Sequence, residues 1–442
     1  MGEPASIFPP LVMETVGRDI SDQVFERLAD LQTGQPTVDE SAYAPRLARS
    51  WERVDSLTLR FNLREGAEWH DGTPVTAEDV VYSFQVFRSP EVDALARSQL
   101  ENRVASVTAE DSNTVLVKFT RAYPEQMYDA TYHVRIIPAH IWRDIPVADW
   151  PGDTSLAHLV GTGPYRVSRW QRGQSLELVE VERDGGGVTT EIPRVIWRFA
   201  NDPQAAFNLI ASHEADMFES LTMDMVERLA SDTTYRLLPY PSAVYGFLGF
   251  RVSDDRGRPT PVLGDRGVRR ALAAAIDRRS LARAVYGPET RVPAGPYSQL
   301  LWVGAGEVVQ PQWDSTAADA MLDRQGWRPG ADSVRRKNGE RLEVAIMVPS
   351  TSGGRMRMAE IIQEQWRQIG VSASITAVDF PVFQSRLAQG NFDSYIGAWL
   401  DEPSPRGLGD QWTREAWDAL NYGHYDNPAF DSLFRAALAI KD

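Results

Sequence analysis

The chain has no cysteine, which excludes disulfides, thiolate metal sites and cysteine nucleophiles together and fits either redox compartment. It lacks any apolar run of the roughly 18 residues that a membrane-crossing helix requires. Positive charge is in deficit: 46 Lys and Arg against 61 Asp and Glu leave a net charge of -15. No basic surface is therefore available to neutralise nucleic-acid phosphates. The opening MGEPASIFPP has neither a charged n-region nor an apolar h-region, so an export signal is expected to have been removed or never present. Histidines are few, and none has a second histidine at ligand spacing; His70, His133 and His140 are read as structural, with no metal and no cofactor expected.

What is present is the composition of a folded protein, 43% hydrophobic and 24% charged, and 442 residues are too many for one core. Val16, Ile20, Val24 and Leu28 recur every four residues, which predicts a helix over 15–28. Leu57, Leu59, Phe61 and Leu63 alternate with polar residues as in a half-buried strand. In the following REGAEWHDGTPVTAEDVVYSF, Asp71-Gly72 reads as a turn, Thr76 as an N-cap, and Glu78 and Asp79 as first-turn acids favoured by the helix dipole. GTGPYRV leads into a strand pattern and not a helix, so its glycines serve a backbone turn and not a phosphate cradle. Gly185, Gly186 and Gly187 mark a surface loop. A strand, helix and strand are read over 195–199, 203–212 and 215–218. The C-terminal half alternates strand and helix from 342 to 399, which predicts an α/β lobe with parallel pairing, its last strand ending at Trp399. Ligands of open α/β sheets sit off the carboxyl ends of strands. There the chain breaks into Asp401, Glu402, Pro403 and Pro405, two carboxylates on a loop stiffened by proline.

These passages, together with VRRALAAAIDRRSLARAVYG, IIQEQWRQIGV, FQSRLAQGNFDSYIGAW and YDNPAFDSLF, resemble in order the family 5 extracellular solute-binding proteins of ABC importers, which include oligopeptide, dipeptide and nickel binders. The resemblance implies an α/β, two-lobed periplasmic-binding-protein fold of the large type II class. Lobe one would take residues 1–242, with an inserted subdomain at about 38–160; lobe two would take 243–407; and 408–442 would return to lobe one. Against the family pattern, the chain starts after the expected first strand and stops before the final helix and strands, so both ends of lobe one are expected to be trimmed. Asp184 to Gly187 replace a passage rich in Asn, Pro and aromatics, and Arg251 stands where an asparagine is usual.

The implied function is a non-catalytic receptor, in the periplasm or anchored outside the membrane as a lipoprotein. It would act as a monomer, closing around a small solute, a peptide first of all, and passing it to the membrane permease. Peptide binders of the family pair an aspartate after the last strand with the ligand's ammonium group. Asp401 is the match, one residue nearer Trp399 than usual, with Glu402 beside it. Trp399, Tyr245, Phe247 and Trp412 are the expected apolar contacts. An oligosaccharide stacked on tryptophan is the alternative solute. A carboxylate-dependent glycoside hydrolase is the alternative class, which the adjacent acids fit poorly because neighbouring residues point opposite ways.

Overall fold

The protein is described by a computed structural model covering residues 2–439 apart from 93, 95, 182–189, 201, 220, 304–309 and 311. The chain divides into two compact units, Met1–Leu221 together with the end of the chain from Ala439, and Thr222–Leu438. Residues 222–242 and 408–438, expected in lobe one, thus cluster with the second unit. The glycine loop at Gly185 to Gly187 lies outside the described residues.

In the first unit, α1 (Thr15–Val24) leads into a short pair, β1 (Ala29–Leu31) and β2 (Tyr43–Pro45). An antiparallel sheet follows in the order β3 (Ala48–Asp55), β4 (Thr58–Leu63), β6 (Thr114–Phe119), β5 (Val104–Ala109). It is flanked by α2 (Ala77–Arg88) and α3 (Arg97–Glu101). Two short helices, α4 (Gln126–Thr131) and α5 (Ala139–Trp142), precede a three-stranded antiparallel sheet of β7 (Tyr165–Gln171), β8 (Ser175–Glu180) and β9 (Arg194–Arg198), and α6 (Pro203–Ala211) follows. Thr76 is the N-cap of α2 as the sequence implies, and Asp79 completes a capping box: the Thr76 amide donates to its carboxylate at 2.9 Å. The other oxygen of Asp79 accepts from Ala139 N at 3.0 Å, so one buried acid starts α2 and fastens it to α5.

Two readings change. The helix expected over 15–28 ends at Val24, because the Val24 carbonyl, which residue 28 would need, accepts instead from Gly163 N at 2.8 Å. Phe25 turns extended, and Leu28 is buried from non-helical backbone leading into β1. No strand forms over 215–218. The amides of Glu214 and Ala215 both fold back on the Leu209 carbonyl, at 2.8 and 3.1 Å, and β9 pairs antiparallel with β8 instead of entering a β-α-β unit.

The GTGPY turn is held by His70. Its Nδ1 accepts from Gly161 N at 3.2 Å and its Nε2 faces the Gly163 carbonyl at 2.9 Å, which makes it the Nε2–H tautomer and a structural residue. A Cβ on Gly161 or Gly163 would strike the Val24 backbone, so these glycines permit close approach of two chains.

The second unit begins with α7 (Met223–Leu229) and is built on a mixed sheet in the order β10 (Val244–Phe250), β16 (Ser394–Leu400), β14 (Glu343–Pro349), β15 (Ser372–Val378). β14 runs parallel to both β15 and β16, as the alternating pattern requires, and β10 is antiparallel to β16. Four helices belong to this core: α8 (Arg266–Ala274), α9 (Arg278–Tyr286), α10 (Ser315–Arg324) and α11 (Gly353–Gln368). Their apolar stripes meet Leu248, Phe250, Val344, Ile346, Val348 and Ile396 on one face of the sheet. A small antiparallel sheet of β11 (Arg328–Pro329), β12 (Arg335–Lys337) and β13 (Glu340–Arg341) sits between α10 and β14 in the chain. α12 (Phe380–Ala388) packs Phe383 and Leu387 with Met347 and Tyr395 in a separate cluster, and α13 (Gly407–Trp412) and α14 (Pro428–Ala439) complete the unit. No described helix is long and apolar enough to cross a membrane.

Candidate functional site

The side-chain period of two along a strand sends Leu248, Phe250 and Ile396 into the helical core and leaves Tyr245, Phe247, Tyr395 and Trp399 for the opposite face. Register pairs Tyr245 with Trp399, Phe247 with Gly397 and Gly249 with Tyr395. Each aromatic of the last two pairs therefore lies across a glycine. A Cβ on Gly397 would run into the rings of Phe247 and Tyr395, and one on Gly249 into that of Tyr395. The glycine spacing of these strands makes room for rings. Gly397→Ala is accordingly expected to cost about 1–3 kcal/mol of stability by overpacking, measured by urea unfolding, with a loss of near-UV circular dichroism as the rings move.

The rings form a row. Trp399 stacks on Phe247 (centroids 6.2 Å apart, planes 15°) and on Tyr422 (6.2 Å, 18°). Trp412 meets Phe247 edge-on at 6.3 Å. Phe247, Trp399, Trp412 and Tyr422 are each partly exposed, whereas Tyr245 is buried and donates its hydroxyl to Gln411 Oε1 at 2.7 Å. Arg251 fixes the end of this row. It is buried, donates from Nη1 to the Tyr422 carbonyl at 2.7 Å, and pairs through Nη2 with Asp255 at 2.6 Å. The departure from asparagine at this position thus has a role, anchoring the segment that presents Tyr422.

Asp401 follows where β16 ends. Its amide continues the ladder to the Ala243 carbonyl at 2.9 Å, and its carboxylate accepts from the buried Ser298 amide. Burial pushes its pKa above the usual aspartate value, and the Ser298 hydrogen bonds only partly oppose this. The Tyr245 hydroxyl is raised in turn, first by its own burial and then by the negative charge of Asp401. Among the described residues no Lys, Arg or His forms an ion pair with Asp401. Glu402 is exposed and takes no part in this arrangement. A half-buried carboxylate without a cation, next to a row of aromatic faces, is suited to accept N–H bonds from a cationic group while the rings hold apolar or planar surface.

Of the six residues singled out from the sequence, Asp401, Trp399, Tyr245, Phe247 and Trp412 come together and Glu402 does not. Sequence reasoning missed Ser298, which reaches Asp401 from far along the chain, and Gln411 and Tyr422, which come from the segments after β16. No group of three His, Asp or Glu among the described residues could hold a metal.

A family model, "Bacterial extracellular solute-binding proteins, family 5 Middle", matches residues 42–417. The chain is 24% identical over 403 residues to the oligopeptide-binding protein AppA of Bacillus subtilis, spanning 90% of this chain and 73% of that one. The solved structure of AppA, a complex with a nonapeptide, aligns with a TM-score of 0.73 at 22% identity over 100% of this chain and 86% of that one. Two further structures share the fold over 100% of this chain. CtaP from Listeria monocytogenes, an ABC transporter substrate-binding protein, has a TM-score of 0.82 at 20% identity with 86% of it covered. NikZ from Campylobacter jejuni, bound to Ni(L-His), has a TM-score of 0.75 at 23% identity with 85% covered.

Proposed function

Because the chain belongs to the bacterial extracellular solute-binding proteins of family 5, we propose that it is the solute receptor of an ABC importer, capturing a peptide and delivering it to the membrane permease. It works outside the cytoplasmic membrane, in the periplasm or held by a lipid anchor at the outer face, as a monomer and without nucleic acid. The observation that supports a peptide most is Asp401: half-buried, next to the stacked rings, and lacking a cation of its own among the described residues. The solute's ammonium group supplies that cation, and its apolar side chains lie on Trp399, Phe247 and Tyr422. A sugar would offer Asp401 only neutral hydroxyl donors and leave it without a charged partner, which is the reason a peptide ranks first.

The receptor performs no chemistry on its solute. Incubation of the purified protein with a defined peptide, followed by chromatography, is expected to return the peptide intact; cleavage products would overturn this reading.

Affinity should also depend on pH with a definite sign. Only the ionised carboxylate holds an ammonium group, and burial raises the pKa of Asp401. Binding is therefore expected to be full at neutral pH and to weaken as pH falls through that raised value, at a higher pH than an ordinary aspartate would give. The linkage for the empty protein runs the other way: a raised carboxyl pKa favours the fold at low pH, and that increment is lost as pH rises. Calorimetric titration of one peptide from pH 7.5 downward, beside its N-acetylated form, separates this effect from general acid damage.

A further inference from the structure

The second unit holds a cavity of about 880 Å3 lined by none of the residues of the aromatic face. α9 contributes Arg278, Arg279 and Arg283 to its wall, the following loop contributes Arg291, and Gln310 and Trp313 come from the segment before α10. Arginine supplies 43 of the 46 basic residues of the chain, so the choice of arginine over lysine carries no information here. The clustering does: in a chain of net charge -15, four arginines line one cavity whose only lining carboxylate among the described residues is Asp277.

That one carboxylate does not balance Arg279, Arg283 and Arg291. Asp277 is the N-cap of α9, accepting from Ser280 N at 3.1 Å and from Ser280 Oγ at 2.6 Å, and the hydroxyl bond is the main reason its pKa lies below the usual range. Arg279 and Arg283 are one helical turn apart on one face, where like charges repel. Arg279, Arg283 and Arg291 are exposed, and Arg283 and Arg291 form no ion pair with a carboxylate among the described residues. The wall is already braced. Gln310 accepts from Arg278 through Oε1 and donates through Nε2 to the carbonyls of Ala294 and, at 3.4 Å, Pro293. Arg278 is partly desolvated, and burial pulls its pKa down.

We propose that this basin is a second ligand site, for a small diphosphate-bearing molecule with a compact organic group. Among the described residues Arg279, Arg283 and Arg291 outnumber the one lining carboxylate, which calls for a multivalent anion, and guanidinium groups hold phosphate oxygens in bidentate fashion. The volume is larger than one phosphate needs and falls within the roughly 300–1,000 Å3 of small-molecule sites. Trp313, 55% exposed at the rim, offers a face for the organic part.

The test is isothermal titration of the full chain with pyrophosphate and with ADP at low salt, with sulfate and citrate as controls, and with an Arg279→Ala/Arg283→Ala double variant. Both positions are exposed helix-surface residues outside the aromatic site. The expected result is one equivalent of each phosphate probe, ADP the tighter, with sulfate and citrate at least about tenfold weaker. The double variant should lose about tenfold or more in phosphate affinity while its peptide affinity stays unchanged. The proposal is overturned if neither probe binds at millimolar concentration, if the variant binds as tightly as the parent, or if citrate binds as well as pyrophosphate, which would make the basin an unselective charge sink.

Discussion

Replacing Asp401 with asparagine is expected to weaken binding of a peptide with a free amino terminus about ten- to a hundredfold while leaving the fold intact. The figure follows from the roughly 1.5–3 kcal/mol of a hydrogen bond to a charged group, at 1.4 kcal/mol per tenfold. Asparagine keeps the volume and can still accept from Ser298, so what it removes is the charge. Because burial already raises the pKa of Asp401, the unoccupied protein should become slightly more stable as the affinity falls. The same peptide with an acetylated amino terminus should bind parent and variant alike. Glu402→Gln, at an exposed position, should change affinity less than about twofold, since an exposed charge is worth little. Calorimetry on the three proteins with the two peptides reads all of this. Equal affinity of parent and Asp401→Asn for the free peptide would remove Asp401 from the site.

Trp366→Ala is expected to destabilise the second unit by about 3–5 kcal/mol, the range for truncating a fully buried tryptophan. Trp366 is 0% exposed on α11, donates from Nε1 to the Leu272 carbonyl of α8 at 3.0 Å, and stacks near Phe250 of β10 (6.4 Å, 20°). One side chain thus ties two helices to the strand whose other face carries Tyr245 and Phe247. Urea unfolding of the purified variant measures the loss. Trp366→Phe, which retains most of the ring but not the donor, should cost less, by an amount that includes the roughly 1 kcal/mol of one neutral hydrogen bond. A loss below about 1 kcal/mol in the alanine variant would mean that the core repacks around the gap and that Trp366 does not hold the sheet.

Most of the second unit was legible in the sequence because its signals are local. The alternation of strand and helix from 342 to 399 gave parallel pairing, which β14 forms with both β15 and β16. What the sequence did not disclose depends on contacts between distant segments. The four-residue stripe to Leu28 predicted one helix, but Gly163, nearly 140 residues away, claims the carbonyl that would have continued it. Residues 215–218 read as a strand, but the amides of Glu214 and Ala215 fold back on the Leu209 carbonyl of α6 and no strand forms. Around Asp401 the pattern is the same: the residues of β10 and β16 were read from their own alternation, whereas Ser298, Gln411 and Tyr422 arrive from three other segments. Asp401 and Glu402, equal in sequence, are separated only by burial, which depends on Ser298 and Tyr245 being near. Arg251, which stands where the family usually has asparagine, anchors Tyr422.

The most direct test of the receptor reading is native mass spectrometry of the freshly purified protein, before and after denaturation and again after incubation with an equimolar peptide library. A mass excess that disappears on denaturation and matches one or more peptides, or peptide uptake from the library that Asp401→Asn reduces, is the expected result. A protein at its own mass that takes up no peptide, or one whose excess is a sugar or a metal ion, would contradict it.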